Sequence, residues 1–213
     1  MGLIDSIAQT VDYRIAICMP AREQLHTATC YCLWELNSLL NRHNVSSRLF
    51  ISPGTLIANQ RHELVLAAQE WNATHVMFID SDIEFNPIGI LQLLEHDLDV
   101  VAACYCKRVE PFINTAWHLL DDWQSWVRIS NDDQGLLKVD AVALGFCLIN
   151  INVFYTVDDP WFQLGYFSGQ YTGEDIEFCR KLKENNIPVY LDLDVSKSLR
   201  HLGTYGFKVV GDD

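Results

Sequence analysis

The sequence predicts an α/β protein whose central, mostly parallel sheet is covered by helices on both faces. In the first half of the 213-residue chain, short and continuously apolar runs alternate with amphipathic stretches. Continuous apolar runs are typical of parallel strands buried on both faces. The connections between the runs are short, as in successive β-α-β units. Shorter strand-like runs in the second half predict a smaller mixed sheet laid against the first half.

The first half follows the order β-α-β-α-β-α-β. Its predicted strands are Tyr13–Met19, Val45–Ile51, His75–Ile79 and Asp99–Tyr105. Its first helix carries an apolar stripe at three- and four-residue spacing, which predicts one buried face: Leu25, Thr29, Cys32, Leu33, Leu36, Leu39 and Leu40. A second helix is predicted over Leu56–Trp71. A third begins at Pro87, a residue suited to a first helical turn, and runs to about His96.

The second half mixes short apolar runs with turns. Leu137–Ile151 is a long apolar stretch that Gly145 interrupts. A helix is predicted from about Gly173 to before Pro188, followed by a strand over Val189–Asp194. No repeat or linker divides the chain. We therefore expect one domain over residues 1–213, with halves of about 13–106 and 107–207, which could belong to a longer protein.

Composition excludes some classes of function. The formal charge is −13, from 15 basic and 28 acidic residues, which argues against a nucleic-acid partner. The seven cysteines lack the spacing of zinc knuckles, so we expect reduced thiols in a reducing compartment. The N-terminus does not resemble a signal peptide, and no apolar run approaches the roughly 20 residues of a transmembrane helix. We expect a soluble, cytoplasmic protein.

The acids Asp80 and Asp82, separated by Ser81, directly follow the third predicted strand. Side chains two residues apart on a strand share a face, and ligands bind at the carboxyl ends of parallel strands. One interpretation is a divalent cation that bridges the acids to a diphosphate. A second is a phosphatase of the haloacid dehalogenase type, with Asp80 as the nucleophile. A third is an acidic turn that caps the next helix.

Nearby residues weigh against two interpretations. A calcium loop is excluded, because Phe85 and Leu91 stand where such a loop needs glycine and a bidentate glutamate. The phosphatase interpretation is disfavoured, because Glu84 replaces the usual small hydroxyl residue and two β-α units precede the motif. The helix-capping turn stays open on this motif alone.

Two later segments bear on the acidic pair. Gly173-Glu174-Asp175 opens a helix whose positive end favours acids, although first-turn acids are also common without any function. His201 precedes Gly203 in the tail, and an imidazole can complete a Mn²⁺ shell begun by carboxylates. The cation interpretation requires both segments to fold back to the edge of the sheet that carries the acids.

Taken in chain order, five features resemble GT-A fold nucleotide-sugar glycosyltransferases with a DxD motif. They are Pro20-x-Arg22 after the first strand, the DSD motif, the apolar Gly145-Phe146-Cys147 run, the GED helix start and the HxGxYG tail from His201. The resemblance spans about Tyr13 to Phe207. It is closest to compact enzymes encoded by phages and by large algal DNA viruses that glycosylate their own capsid protein.

The resemblance implies a role for each matched position. The first half becomes the nucleotide-binding half and the second the acceptor and metal half. The nucleotide site is implied to comprise Pro20, Ala21, Arg22, Arg61, Asp80 and Ser81, with Lys208 reaching the diphosphate from the tail. The implied metal site for Mn²⁺, or Mg²⁺, comprises Asp80, Asp82 and His201.

The acceptor side follows from the same resemblance. Asp175 would be the general base of an inverting enzyme, with Glu174 beside it. Gly145 and Phe146 would floor the sugar site. The aromatic residues just before GED could stack on the acceptor sugar or equally pack in the core or a loop cluster: Trp161, Phe162, Tyr166, Phe167 and Tyr171. The implied activity is transfer of a hexose from a UDP-sugar to a glycan or protein-linked sugar hydroxyl. A metal-dependent phosphatase or nucleotidyltransferase and a non-catalytic nucleotide-sugar binding module stay open as alternatives.

Overall fold

The computed structural model describes residues 13–108, 113–118, 125–130, 132–167 and 169–203. Lys208, predicted to reach the diphosphate, lies outside these ranges. The central sheet has seven strands in the order β2-β1-β3-β10-β5-β13-β8. Their bounds are β1 Arg14–Ala21, β2 Ser46–Pro53, β3 His75–Ile79, β5 Val100–Ala102, β8 Leu136–Val139, β10 Phe146–Asn150 and β13 Val189–Asp192.

The predicted mostly parallel sheet is confirmed. β1 runs parallel to both β2 and β3, and β13 runs parallel to β5. Two strands run the other way: β8 at one edge, and β10 between β3 and β5. β10 comes from the apolar stretch after Gly145 and pairs Phe146 with Ile79, the last residue of β3. This pairing brings Gly145 beside the acidic turn that follows β3.

Helices cover both faces of the sheet, as predicted. Their bounds are α1 Thr27–Arg42, α2 Ile57–Glu70, α3 Ile88–Glu95, α4 Val153–Thr156, α5 Glu174–Glu184 and α6 Leu193–Ser198. α2 and α5 bury their apolar residues in one cluster and α1 and α3 bury theirs in a second, while α6 contributes Leu193 to the first and Val195 to the second. Strand β1 contributes Ala16 and Cys18 to the first cluster and Ile15, Ile17 and Met19 to the second. Such alternation is expected of a strand buried on both faces.

Helix α5 carries the charge pattern that its dipole favours. Its first turn holds Glu174 and Asp175, and its last turn holds Lys181 and Lys183. Asn186, just beyond the helix, adopts a left-handed φ of 58°, which is a common way to end a helix. This charge pattern favours a helix that begins at Glu174, which places both acids in its first turn.

The second half differs from its prediction in detail. The strand predicted over Val189–Asp194 ends at Asp192, because the Asp192 carboxylate caps α6 by accepting from the Val195 N–H at 2.8 Å. Among the described residues, three small antiparallel sheets take the place of the single smaller mixed sheet that was predicted. They pair β11 Gly165–Phe167 with β12 Gln170–Thr172, β14 Arg200–His201 with β4 Ile83–Glu84, and β6 Ala116–His118 with β7 Ser125–Trp126 and β9 Ala141–Val142.

All seven cysteines are free thiols, and five of them are buried. Burial raises the pKa of the Cys104 thiol to about 11, so this thiol is held in its unreactive protonated form. Within the described ranges, no helix is both long and apolar enough to cross a membrane.

Candidate active site

Three segments converge on the turn Asp80-Ser81-Asp82 at the end of β3. The Asp80 N–H donates to the Gly145 carbonyl at 2.9 Å, and the His26 N–H donates to the Ser81 carbonyl at 3.0 Å. The Leu202 N–H donates to the Asp82 carbonyl at 2.8 Å, next to His201 in β14. The tail therefore folds back to the acidic turn, as the cation interpretation requires.

A buried cluster forms on one side of this turn. Arg61 projects from α2 with only 2% of its surface exposed. Its Nη2 lies 3.1 Å from the Asp80 Oδ1, and its Nη1 donates to the Glu174 Oε1 at the start of α5. The Tyr105 hydroxyl donates to the Asp80 Oδ2 at 3.2 Å. Both carboxylate oxygens of Asp80 are therefore engaged, and the α5 start is tied to the acidic turn.

Burial and charge act in opposite directions on this cluster. Burial alone would lower the pKa of Arg61, but Asp80 and Glu174 raise it, so the guanidinium stays charged. Burial raises the pKa of the Glu174 carboxyl, and Arg61 opposes that rise only in part. Burial also raises the pKa of Tyr105, which keeps the hydroxyl a donor. One guanidinium thus balances two carboxylates in a water-poor environment.

Asp175 lies beside Glu174 in the first turn of α5. Its Oδ1 accepts a hydrogen bond from the Ile176 N–H at 2.8 Å. Burial raises the pKa of the Asp175 carboxyl above its ordinary value, and Arg61 and the backbone N–H groups oppose this. A carboxylate with a raised pKa is a stronger base than an exposed one, which suits proton abstraction from a hydroxyl.

A second, more open cluster surrounds Asp82. The Asp82 Oδ2 lies 3.0 Å from the Arg108 Nη1 and 3.6 Å from the His201 Nε2. The His201 Nδ1 lies 2.9 Å from the Cys106 carbonyl. A carbonyl can only accept, so the Nδ1 carries a proton, and the Nε2 is the ring nitrogen that faces Asp82. Burial alone would raise the pKa of Asp82, but His201 and Arg108 lower it.

The donor atoms of this open cluster fit a hard divalent cation of the Mn²⁺ type. One carboxylate and one imidazole are accepted ligands of that ion, and the Cys106 carbonyl orients the ring as outer partners of metal-bound histidines do. Within the described ranges, no group of three or more His, Cys, Asp or Glu side chains could hold an ion by itself. Substrate oxygens and water would have to complete the shell.

The described residues that were predicted to bind the nucleotide lie at the sheet edge that carries the acidic turn, but Arg61 among them is not available to a nucleotide. Pro20 and Ala21 are buried at the end of β1, and Arg22 follows them, exposed. The Ala21 carbonyl accepts from the Gln60 Nε2 at 2.8 Å, which fixes this strand end. Arg61 is different, because carboxylates engage both of its terminal nitrogens inside the protein. Its guanidinium is a buried counter-charge and is not presented to a phosphate.

The residues predicted for the sugar differ in exposure. A Cβ at Gly145 would lie 2.2 Å from the Tyr105 Oη and 2.4 Å from the Asp80 Oδ2, so glycine permits the close approach of the chain here. The Phe146 side chain is fully buried against Phe85. Trp161 is 6% exposed, and its Nε1 donates to the Val157 carbonyl at 3.0 Å. The side chains of Phe146 and Trp161 therefore pack inside the protein.

The β11–β12 hairpin, just before α5, carries two exposed aromatic side chains. Tyr166 is 67% exposed and Tyr171 is 79% exposed, and their ring centroids lie 5.0 Å apart. Gln163, next to the hairpin, donates to Glu177 of α5 at 3.3 Å. The hairpin therefore presents its aromatic pair from a base fixed to the helix that holds Asp175.

The sequence analysis did not single out Tyr105, Cys106 and Arg108. All three follow β5, whose carboxyl end meets the same edge of the sheet as that of β3. A basic residue directly after a predicted parallel strand was the available signal, and it could have identified Arg108.

Comparisons with known proteins support the fold. No family model and no curated protein matches the sequence. Among solved structures, A197 from STIV is 14% identical with a TM-score of 0.54, over 94% of this chain and 100% of that one. A mutant of the Drosophila β-1,4-galactosyltransferase 7, in complex with manganese, UDP-Gal and xylobiose, is 11% identical with a TM-score of 0.54, over 90% of this chain and 71% of that one.

The chain has a GT-A glycosyltransferase fold. At such low identities the likeness concerns the arrangement of strands and helices, and the chemistry has to be argued from the side chains. In this fold the turn Asp80-Ser81-Asp82 occupies the sheet edge at which open α/β sheets bind their ligands.

Proposed function

We propose that this protein is a metal-dependent glycosyltransferase that transfers a hexose from a UDP-sugar to a hydroxyl of a glycan or protein-linked sugar. One observation carries the proposal. Asp82 faces the Nε2 of His201, whose ring the Cys106 carbonyl orients, at the ligand-binding edge of a GT-A-like fold. The galactosyltransferase of similar fold was solved with manganese, UDP-Gal and xylobiose, which supports the choice of metal, donor and acceptor class.

The donor would bind across the end of β1 and the acidic turn. Asp82 and His201 would hold Mn²⁺, or Mg²⁺, and this ion supplies positive charge to the diphosphate leaving group when it is bound. Pro20, Ala21, Arg22 and Ser81 are proposed to line the nucleoside, and Lys208 to reach the diphosphate from the tail. Asp80, engaged by Arg61 and Tyr105, fixes the turn rather than ligating the metal directly.

Asp175 is proposed as the general base. Its raised pKa lets it take the proton of the attacking hydroxyl, while the sugar–phosphate bond breaks through an oxocarbenium-like state. Glu174 anchors the start of α5 to Asp80 through Arg61 and thereby positions Asp175. Gly145 contributes its backbone to the floor of the site, since its carbonyl accepts from the Asp80 N–H at 2.9 Å.

The acceptor is proposed to be a glycan. The exposed rings of Tyr166 and Tyr171 offer flat surfaces for the apolar faces of pyranose rings, beside the helix that holds Asp175. Both were among the aromatic residues predicted to stack on the sugar, and they are exposed, whereas Trp161 is buried. From the sequence resemblance we further propose a viral capsid glycoprotein as the acceptor. A cytoplasmic site of action is proposed from the sequence analysis.

The phosphatase alternative is less well supported by the geometry. Its nucleophile would be Asp80, but the Oδ1 of that residue contacts Arg61 and its Oδ2 accepts from Tyr105. A carboxylate with both oxygens engaged is not poised for attack on phosphorus. The non-catalytic binding module would bind a nucleotide sugar without reaction, so turnover of a UDP-sugar distinguishes the proposed function from it.

The proposal is tested by UDP release from a panel of UDP-hexoses with Mn²⁺ or with EDTA. We expect release that needs the metal. Asp175→Asn should lower kcat by about 10²–10⁴-fold, the usual worth of a general base, without weakening UDP binding. Asp132→Asn, at an exposed turn, is the matched control and should leave both unchanged. Phosphate release from simple esters would favour the phosphatase, and metal-dependent UDP binding without turnover would favour the binding module.

A further inference from the structure

Arg108 occupies the carboxylate oxygen that the proposed metal site needs. Its Nη1 lies 3.0 Å from the Asp82 Oδ2, the same oxygen that lies nearest the His201 Nε2. The guanidinium and a divalent cation cannot both contact this oxygen without placing like charges together. The ion pair is half exposed, with 49% of the Arg108 side chain accessible, so it is weak enough to exchange.

Arg108 has a second contact that does not involve Asp82. Its Nη1 also donates to the Leu202 carbonyl at 2.9 Å. A Cβ at Gly203 would lie 3.0 Å from the Arg108 Cδ, so the stem of the side chain packs against the backbone after β14. The Leu202 contact uses the same nitrogen as the Asp82 contact, so the packing of the stem against Gly203 is what keeps the arginine at the mouth of the site when its head group leaves Asp82.

Two other cations in the described part of the chain are engaged elsewhere. Arg61 is buried between Asp80 and Glu174, and the Lys107 ammonium lies 5.8 Å from the centroid of the Trp117 ring. Arg108 combines exposure, a position beside Asp82 and a planar fork of donors that matches phosphate oxygens. An arginine released from a carboxylate at this point would face whatever anion accompanies the metal.

We propose that Arg108 is a diphosphate-binding residue that exchanges partners. It neutralises Asp82 in the arrangement described above, gives up that carboxylate to the divalent cation, and turns to the oxygens of the nucleoside diphosphate. This inference rests on the proposed function, because it takes the metal and the diphosphate from it. It predicts effects of opposite sign when Arg108 is removed: the metal alone binds more tightly, and the nucleotide binds more weakly.

Calorimetry on the full chain tests both signs with Mn²⁺ alone and with UDP in saturating Mn²⁺. For Arg108→Met we expect Mn²⁺ to bind about two- to fivefold more tightly, the worth of a lost exposed ion pair. We expect UDP to bind about tenfold more weakly, the worth of a lost charge-assisted hydrogen bond. Arg108→Lys should fall between Arg108→Met and the unaltered chain in both titrations. Arg200→Met, a neighbouring exposed cation paired with Glu84, controls for the general loss of charge.

The outcomes separate the two ideas. If the unaltered chain binds UDP only with Mn²⁺ but Arg108→Met leaves either affinity unchanged, or weakens Mn²⁺ binding, this inference is overturned and the proposed function stands. If the unaltered chain binds UDP equally with Mn²⁺ and with EDTA, the proposed function fails and takes this inference with it. A melting curve for each variant establishes that the titrated protein is folded.

Discussion

The guanidinium of Arg61 contacts two acids from distant parts of the chain. Asp80 follows β3 and Glu174 begins α5, and both lie against the same buried side chain. Without this cation the two carboxylates would be buried with no opposite charge. The residue therefore determines where α5 starts relative to the acidic turn, and so where Asp175 lies.

Replacing Arg61 should destabilise the whole protein. Arg61→Met should lower the free energy of unfolding by about 3–5 kcal/mol, because breaking a buried ion pair leaves uncompensated charge. Arg61→Lys should recover only part of this, since one ammonium cannot reproduce the fork that spans both acids. Urea unfolding measures the loss, with Arg42→Met in the exposed last turn of α1 as the control, expected within about 0.5 kcal/mol of the unaltered chain. A loss below about 1 kcal/mol for Arg61→Met would contradict this role.

His75 in β3 should make stability depend on pH. Burial lowers its pKa to about 4, although Asp97 and Asp99 oppose the shift. Between about pH 6.5 and 4, His75 binds a proton in the unfolded chain but stays neutral in the folded protein. The free energy of unfolding therefore decreases as the pH falls through this range. The His75 contribution should shrink by about 2 kcal/mol between pH 7.5 and 5.

The test compares the unaltered chain with His75→Gln by urea unfolding at both pH values. Other groups titrate alike in the two proteins, so the difference between them isolates His75. The gap in unfolding free energy should narrow or reverse toward pH 5. A gap that is constant across this range would show that folding leaves the pKa of His75 unchanged, and would contradict the prediction.

At the scale of elements, the sequence predicts the parallel half of the sheet well. Apolar runs locate β1, β2 and β3 to within about two residues. β1 and β3 are buried along almost their full length, as expected of strands covered on both faces, whereas β2 is an edge strand most of whose side chains are exposed. The antiparallel entry of β10 between β3 and β5 was not predictable in the same way. The choice of partner depends on chain segments far apart in sequence, which local periodicity does not record.

The candidate active site was likewise predictable only in part from the sequence. That the acidic turn, the start of α5 and His201 must meet could be stated as a condition of the cation interpretation, although neither the start of α5 nor His201 directly follows a strand of the central sheet. The burial of Arg61 could not, because an arginine on an amphipathic helix ordinarily faces solvent. Only the spatial arrangement of two acids makes its burial favourable. The burial of Trp161 was also not predictable. Its residue type suggested a contact with a sugar, but its side chain packs in the core.

The β11–β12 hairpin should govern acceptor binding without affecting the donor. The double substitution Tyr166→Ala, Tyr171→Ala should weaken binding of an acceptor probe such as xylobiose by about five- to 150-fold, since each of the two aromatic contacts contributes about 0.5–1.5 kcal/mol. The affinity for UDP with Mn²⁺ should not change. An NMR titration with UDP and Mn²⁺ present measures the loss. Tyr155→Ala, 68% exposed on α4, is the matched control. Unchanged xylobiose affinity in the double variant would remove the hairpin from the acceptor site.

At the scale of the whole molecule, the negative net charge opposes the binding of an anionic nucleotide at the site. A chain of formal charge −13 repels a nucleoside diphosphate at long range. Affinity for such an anion must therefore come from positive charge concentrated at one place. Arg61 is committed to its two carboxylates, which leaves a divalent cation at Asp82 and His201 as the main proposed source, assisted by Arg108.

The central claim is that one divalent cation links Asp82 and His201 to the diphosphate, and its most direct test is the metal dependence of UDP binding. Calorimetry of the unaltered chain should give a UDP affinity at least about tenfold higher with Mn²⁺ than with EDTA, the scale expected when charge-assisted contacts are added. Asp82→Ala should abolish that difference, while Asp132→Ala should keep it. Equal affinity with and without Mn²⁺ in the unaltered chain, or a metal effect that survives Asp82→Ala, would contradict the account.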